Sequence, residues 1–162
     1  MPLTFNLRHL EKRDLHLEGE LSPNDLDLAG VDEMIEMVDP LHYDLTVERL
    51  SDSILVQGSL TGSLACHCVR CLTDFESELE LDHWTLDLPL VGEDKVVVTN
   101  DCVDLTPYIR EDILLAFPQH PLCEPECRGL LEAARHLHGS DREQEQANGS
   151  SSAWAELNKL KF

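Results

Sequence analysis

The sequence has 162 residues, of which 32 are acidic and 12 are basic, so its formal net charge at pH 7 is −20. This length, with 42% hydrophobic residues, fits one folded domain and excludes a collagen, a coiled coil or a fully disordered polymer. No apolar run has the length of a membrane helix, no secretory signal is recognisable, and the charge disfavours unassisted binding to bare nucleic acid. We therefore expect a cytoplasmic protein.

Alternating apolar residues predict strands through the first half of the chain. A first strand is expected to start within residues 4–7, and a second spans residues 14–21, followed by a turn at 22–25. Residues 43–50 and 54–64 alternate as well and are joined by a short polar turn, so they predict a β-hairpin.

The apolar phase of the next strand changes after His83. Phe75, Leu79 and Leu81 lie on one side of the pattern, whereas Trp84 and later residues lie on the other. A shift of one residue sends side chains to the opposite face, so we predict a β-bulge near Asp82 and His83. Residues 95–99 contain four β-branched side chains in a row and predict one further short strand.

A helix is predicted after these strands. Thr106 is a suitable N-cap, Pro107 fits the first helical position, and Pro118 ends the helix. The apolar stripe of this helix consists of Leu105, Ile109, Ile113, Ala116 and Phe117.

The order of the elements predicts the fold class and the domain organisation. Strands come first and helices later, which favours an α+β fold: an antiparallel, bent or barrel-like sheet with a helix after the strands and a short C-terminal helix. We expect one domain over residues 1–138. Residues 139–152 predict a disordered linker, and residues 153–162 predict a C-terminal helix that docks on the domain.

The cysteines suggest a metal site. Cys68 and Cys71 form a C-x-x-C pair, and Cys123 and Cys127 form a C-x-x-x-C pair. Four thiolates suffice for a tetrahedral Zn²⁺, so we predict one zinc ion at these residues. Alternative ligands are His67, His120, His136 and His138. The competing interpretation is that Cys68 and Cys71 are small, half-buried residues at a strand end.

Acidic residues alternate with apolar ones along the predicted strand that contains the phase change. Glu76, Glu78, Glu80 and Asp82 form this acidic series. The pattern predicts a strand with one exposed acidic face. Such a face either keeps the protein soluble or binds a strongly basic partner.

No catalytic constellation is recognisable, so we predict that the protein is not an enzyme. The sequence lacks a glycine-rich phosphate loop and the common hydrolase and metalloprotease motifs. A thioredoxin-like role is disfavoured because its C-x-x-C motif opens a helix, whereas Cys68 and Cys71 lie between two predicted strands.

Three segments together resemble a known family. The motif Cys68-Val69-Arg70-Cys71 closes a strand, residues 103–118 lead into Pro121-Leu122-Cys123, and Cys127-Arg128-Gly129-Leu130 precedes a Trp-containing C-terminus. This arrangement resembles the large ribosomal RNA subunit accumulation protein family (YceD-like). The positions that match the family motif are Arg70, Asp104, Leu105, Arg110, Glu111 and Pro118. Where relatives carry further cysteines, this chain has Leu131 and Ala134, which leaves the four cysteines as a single site.

The resemblance implies a ribosome-assembly role in the accumulation of large-subunit (23S-type) ribosomal RNA, without a known catalytic step. Because the chain is so acidic, we expect it to act through a basic large-subunit ribosomal protein or a pre-ribosomal particle, with indirect RNA contact and no membrane contact. Two alternatives stay open: direct RNA binding around Arg70, Arg110 and Arg128, and a zinc- or thiol-dependent regulator.

Overall fold

The computed structural model describes residues 2–11 and 13–130. Its elements in chain order are β1 (Thr4–Asn6), α1 (Leu7–Leu10), β2 (Leu15–Leu21), β3 (Ile35–Met37), β4 (Leu41–Arg49), β5 (Ser53–His67), β6 (Asp74–Pro89), β7 (Cys102–Asp104) and α2 (Thr106–Ala116). The predicted linker 139–152 and helix 153–162 lie outside the described residues, so the boundary at residue 138 stays a prediction. Within the described ranges, every helix is too short or too polar to cross a membrane.

A five-stranded antiparallel sheet centred on β5 forms most of the fold. Strand β6 pairs with β5 along almost its whole length, whereas β3 and β4 follow one another along the opposite edge of β5. Strand β2 completes the sheet beyond β4. The sheet curls into a half-barrel, and the predicted α+β class is confirmed in this coarse form.

The predicted bulge is present where β5 meets β6. Gly58 pairs with Trp84 and Leu60 pairs with Leu81, so one residue of β5 faces both Asp82 and His83. Gly58 is required here by close approach, because an added Cβ would lie 1.9 Å from the backbone oxygen of Asp44 on β4. The bulge therefore lies beside a position where a side chain would collide with the neighbouring strand.

The hydrophobic core lies on the inner face of the sheet and under α2. The predicted helix stripe is buried at Leu105, Ile109 and Ile113, which are fully inaccessible to solvent. A small antiparallel pair, β1 with β7, covers one side of this core. Trp84 Nε1 donates a hydrogen bond of 2.6 Å to Asp112 Oδ2, which ties β6 to α2 directly after the bulge.

The predicted strand at residues 95–99 is wrong. Val97 and Val98 are 78% and 40% exposed, and in the described chain only Thr99 forms a bridge, to Cys102. Val96 is buried and its N–H donates to the Pro89 carbonyl at 2.8 Å, but the run has no ladder with a neighbouring strand of the described chain, and β-branched residues favour strands where such a neighbour is available.

The predicted N-cap at Thr106 is also wrong. Leu105 is the N-cap and has no side-chain capping bond. The carboxylate of Asp104 instead accepts a 2.9 Å hydrogen bond from the Thr106 N–H, while the Thr106 hydroxyl accepts one of 2.8 Å from the Leu3 N–H. The helix ends at Ala116, and Phe117 is extended because it precedes Pro118, as predicted.

Candidate metal centre

The four predicted cysteines meet at one end of the sheet. The Sγ atoms of Cys68, Cys71, Cys123 and Cys127 all lie within 4.8 Å of one another. The Cys68–Cys127 and Cys71–Cys123 sulfur distances are 3.7 and 3.6 Å. A zinc ion with about 2.3 Å Zn–S bonds in a tetrahedron places its sulfurs about 3.8 Å apart. Two sulfur pairs thus have this spacing, and the whole cluster is compatible with a tetrahedral Cys₄ site.

The first pair lies on a tight turn that follows β5. The Leu72 N–H donates to the Cys68 carbonyl at 2.8 Å, and the Cys68 N–H donates to the Thr73 carbonyl at 3.0 Å. Leu72 has a φ of 60°, in the left-handed region that residues with a Cβ seldom adopt. Surrounding contacts must hold such a conformation in place, as is common around binding sites.

The second pair is fastened to this turn through the backbone. The Val69 N–H donates to the Pro121 carbonyl at 3.0 Å, and Arg70 Nη1 donates to the Cys127 carbonyl at 2.9 Å. Gly129 has a φ of 82°, and a Cβ there would lie 3.4 Å from the Arg70 carbonyl oxygen. Val69, Arg70 and Gly129 all lie in the motifs that carry the family resemblance, but their supporting role was not predicted, because backbone contacts between distant segments leave no pattern in the sequence.

Hydrogen bonds around the sulfurs favour thiolates at the first pair. The backbone N–H of Cys123, then those of Cys71 and Arg70, lower the pKa of the Cys68 thiol to about 6. The hydroxyl and the N–H of Thr73 lower the pKa of Cys71. Hydrogen bonds that stabilise a thiolate also orient it as a metal ligand.

The second pair retains its protons in the absence of a cation. The Cys71 sulfur, burial and the Cys68 sulfur raise the pKa of Cys123 to about 12. The Gly129 N–H alone would lower the pKa of Cys127, but burial and the sulfurs of Cys71 and Cys68 outweigh it and raise that pKa. Thiolates this close repel one another, so a divalent cation is the group that would allow all four to ionise.

The remaining predicted ligands lie elsewhere. His67 contacts Asp74 at 2.5 Å, and neither it nor His120 belongs to the cluster among the described residues. His136 and His138 lie outside the described residues. The other two cysteines are separate: Cys66 is buried, which raises its pKa, and Cys102 accepts a hydrogen bond from Asn6 at 3.5 Å.

The acidic series of β6 lies on the outer face of the sheet, opposite the core. The side chains of Glu76, Glu78 and Glu80 are exposed, whereas Leu79 between them is buried. Asp82 is also exposed, but the bulge turns the strand there, and Asp82 lines a different cavity together with Trp84 and α2.

Four of the six motif residues have structural partners or lie in the core. Asp104 accepts the hydrogen bond from Thr106, and Leu105 is buried in the core. Arg110 Nη2 lies 3.3 Å from the Asp27 carbonyl, whereas Arg70 lies at the cysteine cluster. Glu111 is exposed on the helix, and Pro118 follows its end.

Comparisons with known proteins identify the family. The family model described as "Large ribosomal RNA subunit accumulation protein YceD" matches residues 56–161, about two thirds of the chain and all four clustered cysteines. The uncharacterized protein YlbN of Bacillus subtilis is 26% identical over 129 residues, which cover 75% of this chain and 73% of YlbN.

Mycobacterial proteins are also similar. An uncharacterized protein of Mycobacterium leprae is 30% identical over 105 residues, 60% of this chain and 48% of the relative. An uncharacterized protein of Mycobacterium tuberculosis is 30% identical over 98 residues, 56% of this chain and 47% of the relative. The matched region therefore spans about half the length of these mycobacterial relatives. No solved structure gives a significant match.

Proposed function

Because the chain belongs to the large ribosomal RNA subunit accumulation protein family, we propose that it is a non-catalytic assembly factor that supports accumulation of large-subunit ribosomal RNA. The family match carries this proposal. The factor works through its acidic outer sheet face, which binds a basic large-subunit ribosomal protein, and its fold is closed by one zinc ion at the cysteine cluster.

The zinc proposal is supported by the donor set and by its surroundings. Four sulfurs at tetrahedral spacing leave no open coordination position, which is typical of structural rather than catalytic zinc. Backbone N–H groups hydrogen-bond to the sulfurs, and the Arg70 guanidinium lies beside the cluster. Zinc here would fasten the turn after β5 to the segment after α2, without any step of chemical catalysis.

Metal content and proton release test the zinc proposal together. We expect one zinc per chain after purification in zinc-containing medium. Reloading the stripped protein at pH 7 should release at least two protons per zinc, because the raised pKa values keep Cys123 and Cys127 protonated until the metal binds. Titration calorimetry in buffers of different ionisation enthalpy measures this release. Substoichiometric zinc that exchanges without proton release would contradict the proposal.

The basic-partner proposal is supported by the charge of the outer face. Carboxylates line its cavities, and among the described residues no Lys or Arg lines them. RNA binding depends on Lys and Arg that neutralise phosphates, so this face suits a cationic protein rather than RNA. Electrostatic association of this kind is fast and weakens with salt.

Two measurements in the cells that produce the chain test the assembly role. Depletion of the chain should lower large-subunit relative to small-subunit ribosomal RNA. A tagged chain should recover a basic large-subunit ribosomal protein at low salt, both with and without ribonuclease, and lose it at high salt. Recovery that disappears with ribonuclease would instead favour an RNA-anchored factor and would contradict the basic-partner proposal.

A further inference from the structure

A trough runs along the outer face of the sheet above β5. Its floor consists of the small side chains that β5 directs outward: Ser59, Thr61, Ser63 and Ala65. Three cavities of about 240, 580 and 510 Å³ lie along it. The first two share His42 and Thr61, and the last two share Glu76, so the cavities follow one another along the sheet face.

The two walls of the trough differ in how their carboxylates are paired. On the wall formed by β2 and β4, Glu20 lies 3.3 Å from His42, and Asp44 lies 3.6 Å from His16, so only Glu18 of that wall has no ion-pair or hydrogen-bond partner among the described residues. On the β6 wall, the carboxylates of Glu76, Glu78 and Glu80 have no ion-pair or hydrogen-bond partner within residues 2–11 and 13–130. The β6 wall therefore offers three unpaired carboxylates in a row.

The spacing of this row specifies the shape of a partner. Alternate residues of a strand are about 6.8 Å apart, so the three carboxylates repeat at that interval. An extended peptide has the same repeat between its own alternate side chains. Lys or Arg at every second position of an extended segment would thus face the β6 wall in register, whereas a block of adjacent basic residues would direct half of its charges away from it.

The floor is suited to a peptide backbone. Hydroxyls of Ser59, Thr61 and Ser63 both donate and accept hydrogen bonds, as backbone N–H and C=O groups require. Tyr43 and Phe75 also line the cavities of the trough, so the lining alone does not separate a peptide from a nucleic acid. The absence of Lys and Arg from the lining disfavours a nucleic acid.

We propose that the trough above β5 binds an extended basic segment of a partner protein in which Lys or Arg occupies alternate positions and faces Glu76, Glu78 and Glu80. This inference rests on the proposed function and narrows it to one surface and one class of sequence. The segment lies along the sheet face, and its charges pair with the β6 wall.

Fluorescence anisotropy with the purified full chain tests this inference. One labelled nine-residue peptide alternates Lys with Thr, and its control has the same composition with all Lys in one block. We expect the alternating peptide to bind at least threefold more tightly. The triple variant E76Q/E78Q/E80Q should bind it about tenfold more weakly, the combined effect of three exposed ion pairs. The matched variant D52N/E93Q/D94N removes the same charge at the far end of the sheet and should change affinity less than twofold.

A floor variant separates shape from charge. Ser63→Gln fills the trough without altering the net charge and should also weaken binding of the alternating peptide. Equal losses in the two triple variants, equal affinity for the two peptides, or tighter binding of an unstructured RNA of similar length would overturn the inference. If the E76Q/E78Q/E80Q chain still recovers a basic large-subunit protein from cells, the trough is not the binding site, whereas the proposed function stands.

Discussion

The cysteine cluster and the trough differ in how their polar groups are satisfied within the chain. The cluster joins residues 52 and 59 positions apart, and backbone donors surround its sulfurs. The trough is formed by neighbouring strands, and the carboxylates of its β6 wall have no partner in the described chain. Groups that are satisfied internally stabilise a fold, whereas unsatisfied groups on a shaped surface are available to another molecule.

Loss of a cysteine ligand should have the largest effect. Cys71→Ser removes one of four zinc ligands, so we expect zinc to fall from one per chain to near zero and the thermal unfolding midpoint to drop by on the order of 10 °C. Elemental analysis and thermal denaturation measure these changes. Cys102→Ser is the matched control outside the cluster, and an equal loss of stability in that variant would remove the distinction between cluster and sheet.

Substitution of Gly58, beside the bulge, should have the second-largest effect on stability. Gly58→Ala places a Cβ against the Asp44 carbonyl, so β4 and β5 must separate, and we expect a cost of about 3 kcal/mol in the free energy of unfolding. Gly62→Ala on the same strand meets its nearest atom, Leu41 Cδ1, at 3.4 Å and should cost far less. Chemical denaturation of both variants checks this, and similar costs would show that the bulge tolerates a wider strand separation.

The hydrogen bond between β6 and α2 should contribute less. Asp112→Ala removes the acceptor of the 2.6 Å bond from Trp84, and a bond to a charged group contributes about 2 kcal/mol. Its neighbour Glu111 is exposed, so Glu111→Ala serves as the control. If urea denaturation gives the two variants the same stability, the bond does not hold the helix against the sheet.

The trough should contribute least to stability. E76Q/E78Q/E80Q removes carboxylates without internal partners and relieves repulsion between neighbours, so the unfolding midpoint should change by less than about 2 °C. Any small gain should disappear at high salt. A marked destabilisation would mean that these carboxylates have a structural role and would weaken the contrast with the cluster.

The features that follow from periodicity were predictable from the sequence. The change of apolar phase after His83 located the bulge, and alternation located the β4–β5 hairpin. The two cysteine pairs predicted that the four sulfurs lie together, because two closely spaced pairs supply the four thiolates of a tetrahedral zinc site. In each case the signal is local or chemically distinctive.

The features that depend on distant pairing were not predictable. Strand β7 has only three residues, which is too short to show alternation, and it pairs with β1, which lies near the beginning of the sequence. Residues 95–99 show the converse, since a β-branched run without a neighbour forms no strand. Prediction of the trough would have required the pairing register of four strands. The small side chains of β5 form a floor only because longer side chains lie beside them on the neighbouring strands.

The span of the cysteine cluster also has a consequence for synthesis on the ribosome. Cys123 follows Cys71 by 52 residues, which at about 5–20 residues per second corresponds to about 3–10 s of translation. During that interval the first two thiols are made while the ligands that complete the site do not yet exist. Closure of the cluster therefore occurs only after α2 has been synthesised, and metal uptake would mark the completed domain.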